Sequence, residues 1–126
     1  MQRRIIGGLE YSVVGLGAYE LGAEPSWSGA RDVLTAAVDA GCNWIDTAEA
    51  YFAGMNERTV AAALASAGRE MRISTKVAPR PEGTGLEPNQ VRNACRESLD
   101  RLGVDRVDMY LPVSYTPLTL PTILRV

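Results

Sequence analysis

Short apolar runs of strand length alternate along this chain with longer segments in which apolar residues return every three or four positions. The runs are Ser12–Gly17, Cys42–Asp46, Met71–Lys76 and Val107–Leu111. Between the first two, Pro25 and Ser26 or Ser28 open a helix whose apolar positions Val33, Leu34, Ala37 and Val38 keep helical spacing until Gly41 stops it. Asn56 is placed to cap a second, alanine-rich helix from Glu57 to Ala67, ended by Gly68. Pro79, Pro81, Gly83 and Gly85 mark a loop. Pro88 then suits the first turn of a third helix, with Val91, Ala94, Cys95, Leu99 and Leu102 as its buried face and Gly103 as its stop. Ahead of all this, Arg3–Ile6 and the pair Gly7-Gly8 predict a small hairpin.

Strands that alternate with helices in this way need right-handed crossovers and a parallel sheet, which makes the expected fold class α/β. Sites in such folds lie at the carboxyl ends of the strands. Asp46 ends the second predicted strand, Lys76 ends the third, and Tyr51 follows Asp46 by five residues. Parity puts Trp44 with Asp46 on one strand face and Ser74 with Lys76 on another, so that both ionisable groups can reach one mouth. The grouping makes chemical sense. A phenol with an ordinary pKa of about 10 is a poor acid at neutral pH, and a neighbouring ammonium stabilises the phenolate it leaves behind. A carboxylate beside the lysine keeps that ammonium charged, and the set becomes a general acid for a developing alkoxide.

Composition narrows the partners. With 126 residues, 46% apolar and 22% charged, the chain is long enough for one domain with a core. A net charge of −2 with scattered arginines gives no basic stripe for a phosphate backbone, so nucleic acid is not an expected partner. No apolar window approaches a membrane span, and the expected location is cytoplasmic. Cys42 and Cys95 fit neither a C-x-x-C motif nor a disulfide framework, and the absence of histidine argues against a zinc site, so no metal is expected. Trp44, the alanine stripe and Cys95 read as core, and Arg92, Glu97 and Arg101 as a solvated helix face with Glu97 and Arg101 at i, i+4 spacing. Gly15-x-Gly17 alone would fit a Rossmann dehydrogenase, but Glu20 stands where the third glycine belongs and Pro25 delays the helix.

Gly15-Leu-Gly17-Ala18, Gly41 through Asp46-Thr-Ala-Glu-Ala-Tyr51, Asn56-Glu57-Arg58, Ile73-Ser-Thr-Lys76, and Val91-Arg92 followed by Ser98 through Asp105 resemble the aldo-keto reductase family in order and spacing. The resemblance runs over roughly residues 8 to 111. It implies a (β/α)₈ TIM barrel that binds NADPH, with NADH as the alternative, and reduces a small aldehyde or ketone to an alcohol. By the same resemblance Tyr51 is the proton donor, Lys76 strengthens it as an acid, and Asp46 pairs with Lys76 near the nicotinamide ribose. Gly17 and Ala18 match positions near the nicotinamide, and Tyr19 matches an aromatic position that borders the substrate pocket.

A complete barrel takes about 250 residues, so the expectation is about half a barrel: a hairpin, then four strands alternating with three helices. The family usually continues a run such as Tyr110-Leu111 with one more residue and a histidine that orients the carbonyl. Here Pro112 and Val113 follow. In residues 112–126 the one charged residue is Arg125, while three of the seven prolines fall there. That segment resembles translated adapter sequence, and the expected organisation is 1–111 as the N-terminal half of the barrel and 112–126 as a non-native tail. Alone, such a half would expose strand edges and its inward face, predicting poor solubility, a molten state or pairing of two copies, with little or no turnover. The oligomeric state is left open by the sequence. The competing functional reading is a non-catalytic, cofactor-binding or redox-sensing subunit of the same fold.

Overall fold

The computed structural model describes residues 1–78 and 86–113. The expected loop at Pro79–Gly85 and all of the expected tail except Pro112 and Val113 lie outside the described residues. Six strands and three α-helices are seen within them, with short 3-10 turns at Tyr19–Leu21 and Tyr51–Gly54: β1 (Arg3–Ile6), β2 (Leu9–Ser12), β3 (Leu16–Gly17), α1 (Ser28–Asp39), β4 (Trp44–Asp46), α2 (Met55–Ala67), β5 (Arg72–Val77), α3 (Pro88–Leu102) and β6 (Met109–Pro112). β1 and β2 form an antiparallel hairpin, and β3-β4-β5-β6 form a parallel sheet in chain order. This is a partial α/β barrel wall with a hairpin, not a closed barrel.

The first predicted strand, Ser12–Gly17, is divided. Ser12 ends the hairpin, Val13 and Val14 are exposed, and only Leu16–Gly17 joins the parallel sheet. The cause is Ser12 itself: its Oγ donates to the Val14 carbonyl at 2.6 Å and turns the chain there. α2 also begins earlier than Asn56 would set it, with Gly54 rather than Asn56 in the cap position. Pro88 and Gly103 bound α3 as the sequence predicts, and Glu87 and Gln90 add a reciprocal capping box.

Alternation along each strand sorts the two faces of the sheet. Ile45, Ile73 and Val77 turn toward the helices, where Ala30 and Leu34 of α1, Val60 and Ala63 of α2, and Ala94 and Leu102 of α3 are buried. The α1 stripe is therefore centred on Ala30 and Leu34, and Val33 is exposed. The opposite face carries Trp44, Asp46, Ser74 and Lys76. Its lower end is closed by the hairpin, which is tied down by Asn43 Nδ2 and Arg72 Nε donating to the Glu10 carbonyl, each at 2.9 Å, and by Trp44 Nε1 donating to the Ser12 carbonyl at 3.0 Å.

Trp44 lies so close to the chain at Gly15 that a Cβ built there would stand 2.2 Å from Cε2 of the indole. Gly15→Ala is therefore expected to displace the indole and cost about 1–3 kcal/mol. A lower urea midpoint with a shifted Trp emission maximum would be the readout, and an unchanged midpoint would contradict the packing.

Candidate active site

The parallel register brings the strand ends together, with Gly17 opposite Asp46 and Asp46 opposite Ser74. Lys76 lies two residues beyond Ser74 on the same face, so its side chain reaches back over Asp46. Its Nζ donates to Asp46 Oδ2 at 2.5 Å, to the Thr47 carbonyl at 2.8 Å and to the Tyr51 hydroxyl at 3.4 Å. An ammonium has three N–H donors, and each has an acceptor here. Ser74 Oγ donates to the other oxygen of Asp46 at 2.8 Å. Lys76 and Asp46 are 19% and 28% exposed, shielded enough for their attraction to outlast solvent screening yet open on one side. The acid, the phenol and the ammonium that the sequence placed at one mouth are thus in direct contact.

The other expected site residues border this group. The Gly17 position is open, with no atom within 4 Å of where a Cβ would stand. Ala18 is fully buried, its N–H donating to the Asp46 carbonyl at 2.8 Å and its own carbonyl accepting from Asn56. Tyr19 meets Tyr51 edge to face, with ring centroids 5.1 Å apart, and the Phe52 ring at 5.2 Å.

Tyr51 is held by its own backbone N–H, which donates to the Ala48 carbonyl at 3.1 Å. Phe52, Ala53 and Gly54 then run through the left-handed region, with φ of 51°, 52° and 84°. For the first two this costs about 1–2 kcal/mol each, since their Cβ atoms crowd the following carbonyl. Gly54 is required twice over, by its φ and because a Cβ there would stand 2.7 Å from Cδ of Arg101.

Two residues that sequence reasoning treated as a cap and as a solvated surface are central to this arrangement. Asn56, fully buried, accepts from Thr47 Oγ1 at 2.7 Å and donates to the carbonyls of Ala18 and Gly22 at 2.8 and 2.7 Å. It locks the ends of β3 and β4 to the start of α2 and leaves no side-chain oxygen for helix capping. Glu57, 0% exposed, accepts from Thr75 Oγ1 and from Arg101 Nε, both at 2.6 Å. Arg101 is thus 17% exposed and not part of a solvated face, although its longer i, i+4 pairing with Glu97 is present at 3.8 Å. Position on the helix stripes would have revealed both: Glu57 is in line with Val60 and Leu64, and Arg101 with Ala94 and Ser98.

A cleft at the opposite end of the sheet, between Leu64, Arg69, Met71, Leu102 and Arg106, contains none of Asp46, Tyr51 or Lys76. No helix among the described residues is long and apolar enough to cross a membrane.

Residues 13–114 match the Aldo/keto reductase family. The chain belongs to that family. An aldo-keto reductase of Mycobacterium tuberculosis is 40% identical over 102 residues, a match that takes in 79% of this chain and 32% of the relative. Among solved structures, the holo form of an aldo-keto reductase from Bacillus halodurans superposes with a TM-score of 0.74 at 32% identity, covering 89% of this chain and 40% of that one. An aldo/keto reductase from Klebsiella pneumoniae, in complex with NADP and acetate, gives a TM-score of 0.66 at 31% identity over 82% of this chain and 35% of its own. The chain spans about a third of the length of the curated relatives it matches. Aldo-keto reductases are NAD(P)H-dependent oxidoreductases with TIM-barrel folds, and the hairpin and four parallel strands here correspond to part of that barrel.

Proposed function

We propose that the whole protein is an NAD(P)H-dependent reductase of a small aldehyde or ketone, with Tyr51 as proton donor and Asp46 and Lys76 as its supports. The observation that carries this reading is the saturation of Lys76 Nζ. Asp46 and the Thr47 carbonyl hold the ammonium in place, and its remaining donor goes to the phenol oxygen. With that oxygen accepting from lysine, the Tyr51 O–H is left to point elsewhere, toward a carbonyl oxygen at the mouth. When the proton leaves, the phenolate forms beside a fixed cation in a partly shielded site, which lowers the cost of the charge. Lys76 has no spare donor for the substrate, so the proton comes from the phenol.

The open position at Gly17 beside partly exposed Asp46 suits the nicotinamide end of a dinucleotide, with Ala18 as buried support. NADPH, with NADH as the alternative, supplies the hydride when bound. A cytoplasmic location belongs to the same proposal and is supported by the free thiols of Cys42 and Cys95. Val113 stands where the family's histidine is expected, within the segment read as a non-native tail.

The test is oxidation of NADPH, followed by its absorbance, in a protein extended to its relatives' length. Oxidation that requires an added aldehyde is the expected result. Cofactor binding without carbonyl-dependent oxidation would instead favour the non-catalytic subunit, for which the absent histidine is the supporting observation.

A further inference from the structure

We propose that Phe52 is a specificity-determining residue of this site, fixed so that its ring and that of Tyr19 form one aromatic wall for carbonyl compounds carrying a flat apolar substituent. The inference rests on the reductase reading and names its substrate class.

Two independent observations carry it. The first is the packing of the rings. Tyr19 bridges Phe52 and Tyr51: its ring is tilted by 31° from Phe52 at 5.2 Å and stands at 88° to Tyr51 at 5.1 Å. The wall therefore begins at the proton donor. Phe52 and Tyr19 nonetheless remain 45% and 52% exposed among the described residues, so about half of their area is not spent on the core. Large apolar area left open beside a reactive group is what a ligand-binding surface looks like.

The second observation is the backbone beneath Phe52. Its φ of 51° and that of Ala53 at 52° are conformations a glycine adopts without strain. Tyr51 does not need a side chain at position 52, because its N–H is anchored upstream on Ala48 and α2 is anchored downstream by Asn56. The strained turn serves instead to bring a phenyl ring against Tyr19. A flat group stacked there gains offset or edge-to-face contact with two rings, whereas a short alkyl group reaches neither fully.

Benzaldehyde and propanal separate the proposal from its alternatives in the protein extended to its relatives' length, with NADPH. In Phe52→Gly the ratio of kcat/KM for benzaldehyde to that for propanal is expected to fall about fivefold, chiefly through KM. Phe52→Tyr should restore the ratio, and Ala53→Gly, which relaxes the turn without removing a ring, should leave it unchanged. A ratio that stays the same in Phe52→Gly, whether both rates hold or fall together, overturns the proposal, because Phe52 would then serve only the turn. If the unsubstituted protein reduces neither aldehyde, the reductase reading fails by itself, and titration with benzamide, a flat carbonyl compound that is not reduced, tests the wall. Binding weakened about fivefold in Phe52→Gly supports it, and equal or undetectable binding in both proteins overturns it.

Discussion

Arg101→Met is expected to lower the stability of the folded protein by about 3–5 kcal/mol, more than any other single change to a charged residue described above. The side chain removed is compensated in volume by methionine, so the loss is electrostatic in origin. Glu57 would remain fully buried with one hydrogen bond, from Thr75, and no cation. Taking a carboxylate from water into such a place is costly unless it is paired. The reciprocal change, Glu57→Gln, should cost less, because Arg101 is 17% exposed and keeps Ser98 Oγ at 3.2 Å and Glu97 as partners. Combining the two changes should recover part of the loss, since a neutral amide can still accept from Thr75 and no charge is stranded. Urea midpoints for the four proteins, each extended to the relatives' length, give the cycle. An unaltered midpoint in Arg101→Met would show that the pair contributes nothing.

Tyr51→Phe is expected to reduce kcat for carbonyl reduction about 10²- to 10⁴-fold in a protein of the relatives' length, while NADPH binding stays the same. That range corresponds to about 3–5 kcal/mol of barrier. The phenyl ring keeps the edge-to-face contact with Tyr19, so the pocket's shape is retained. What disappears is the one proton-bearing oxygen beside Lys76 Nζ. Because the lysine's other two donors are held by Asp46 and Thr47, it cannot swing forward to replace the phenol without breaking both bonds. Single-turnover measurement with deuterated NADPH checks that the chemical step is the one slowed. Equal turnover by both proteins would refute Tyr51 as the donor.

The sequence revealed what is encoded locally. Asp46 at the end of β4, the Pro88 start and Gly103 end of α3, and the Gly7-Gly8 hairpin all depend on neighbours within a few residues and appear where expected, and Lys76 lies one residue before the end of β5. Misreadings occurred where a distant partner outbid a local preference. An asparagine at a helix start ordinarily caps it, but Asn56 finds the carbonyl of Ala18, 38 residues away, and the backbone supplies Gly54 instead. Arg101 looked solvated because its partner Glu57 is 44 residues distant. The left-handed turn at Phe52 and Ala53 carries no glycine at either position to announce it, and the ring packing that justifies it is tertiary.

The turn between Tyr51 and α2 is clamped at both ends, by Ala48 on one side and by Asn56 on the other. A segment fastened this way behaves as an interchangeable cassette at Phe52 and Ala53: the side chains there can drift, or be replaced by design, while Gly54 stays and Tyr51 keeps its position relative to Asp46 and Lys76. On the roles proposed for Tyr51 and Phe52, substrate range and acid–base chemistry fall to adjacent residues of the same short stretch, so that selection can act on one without eroding the other.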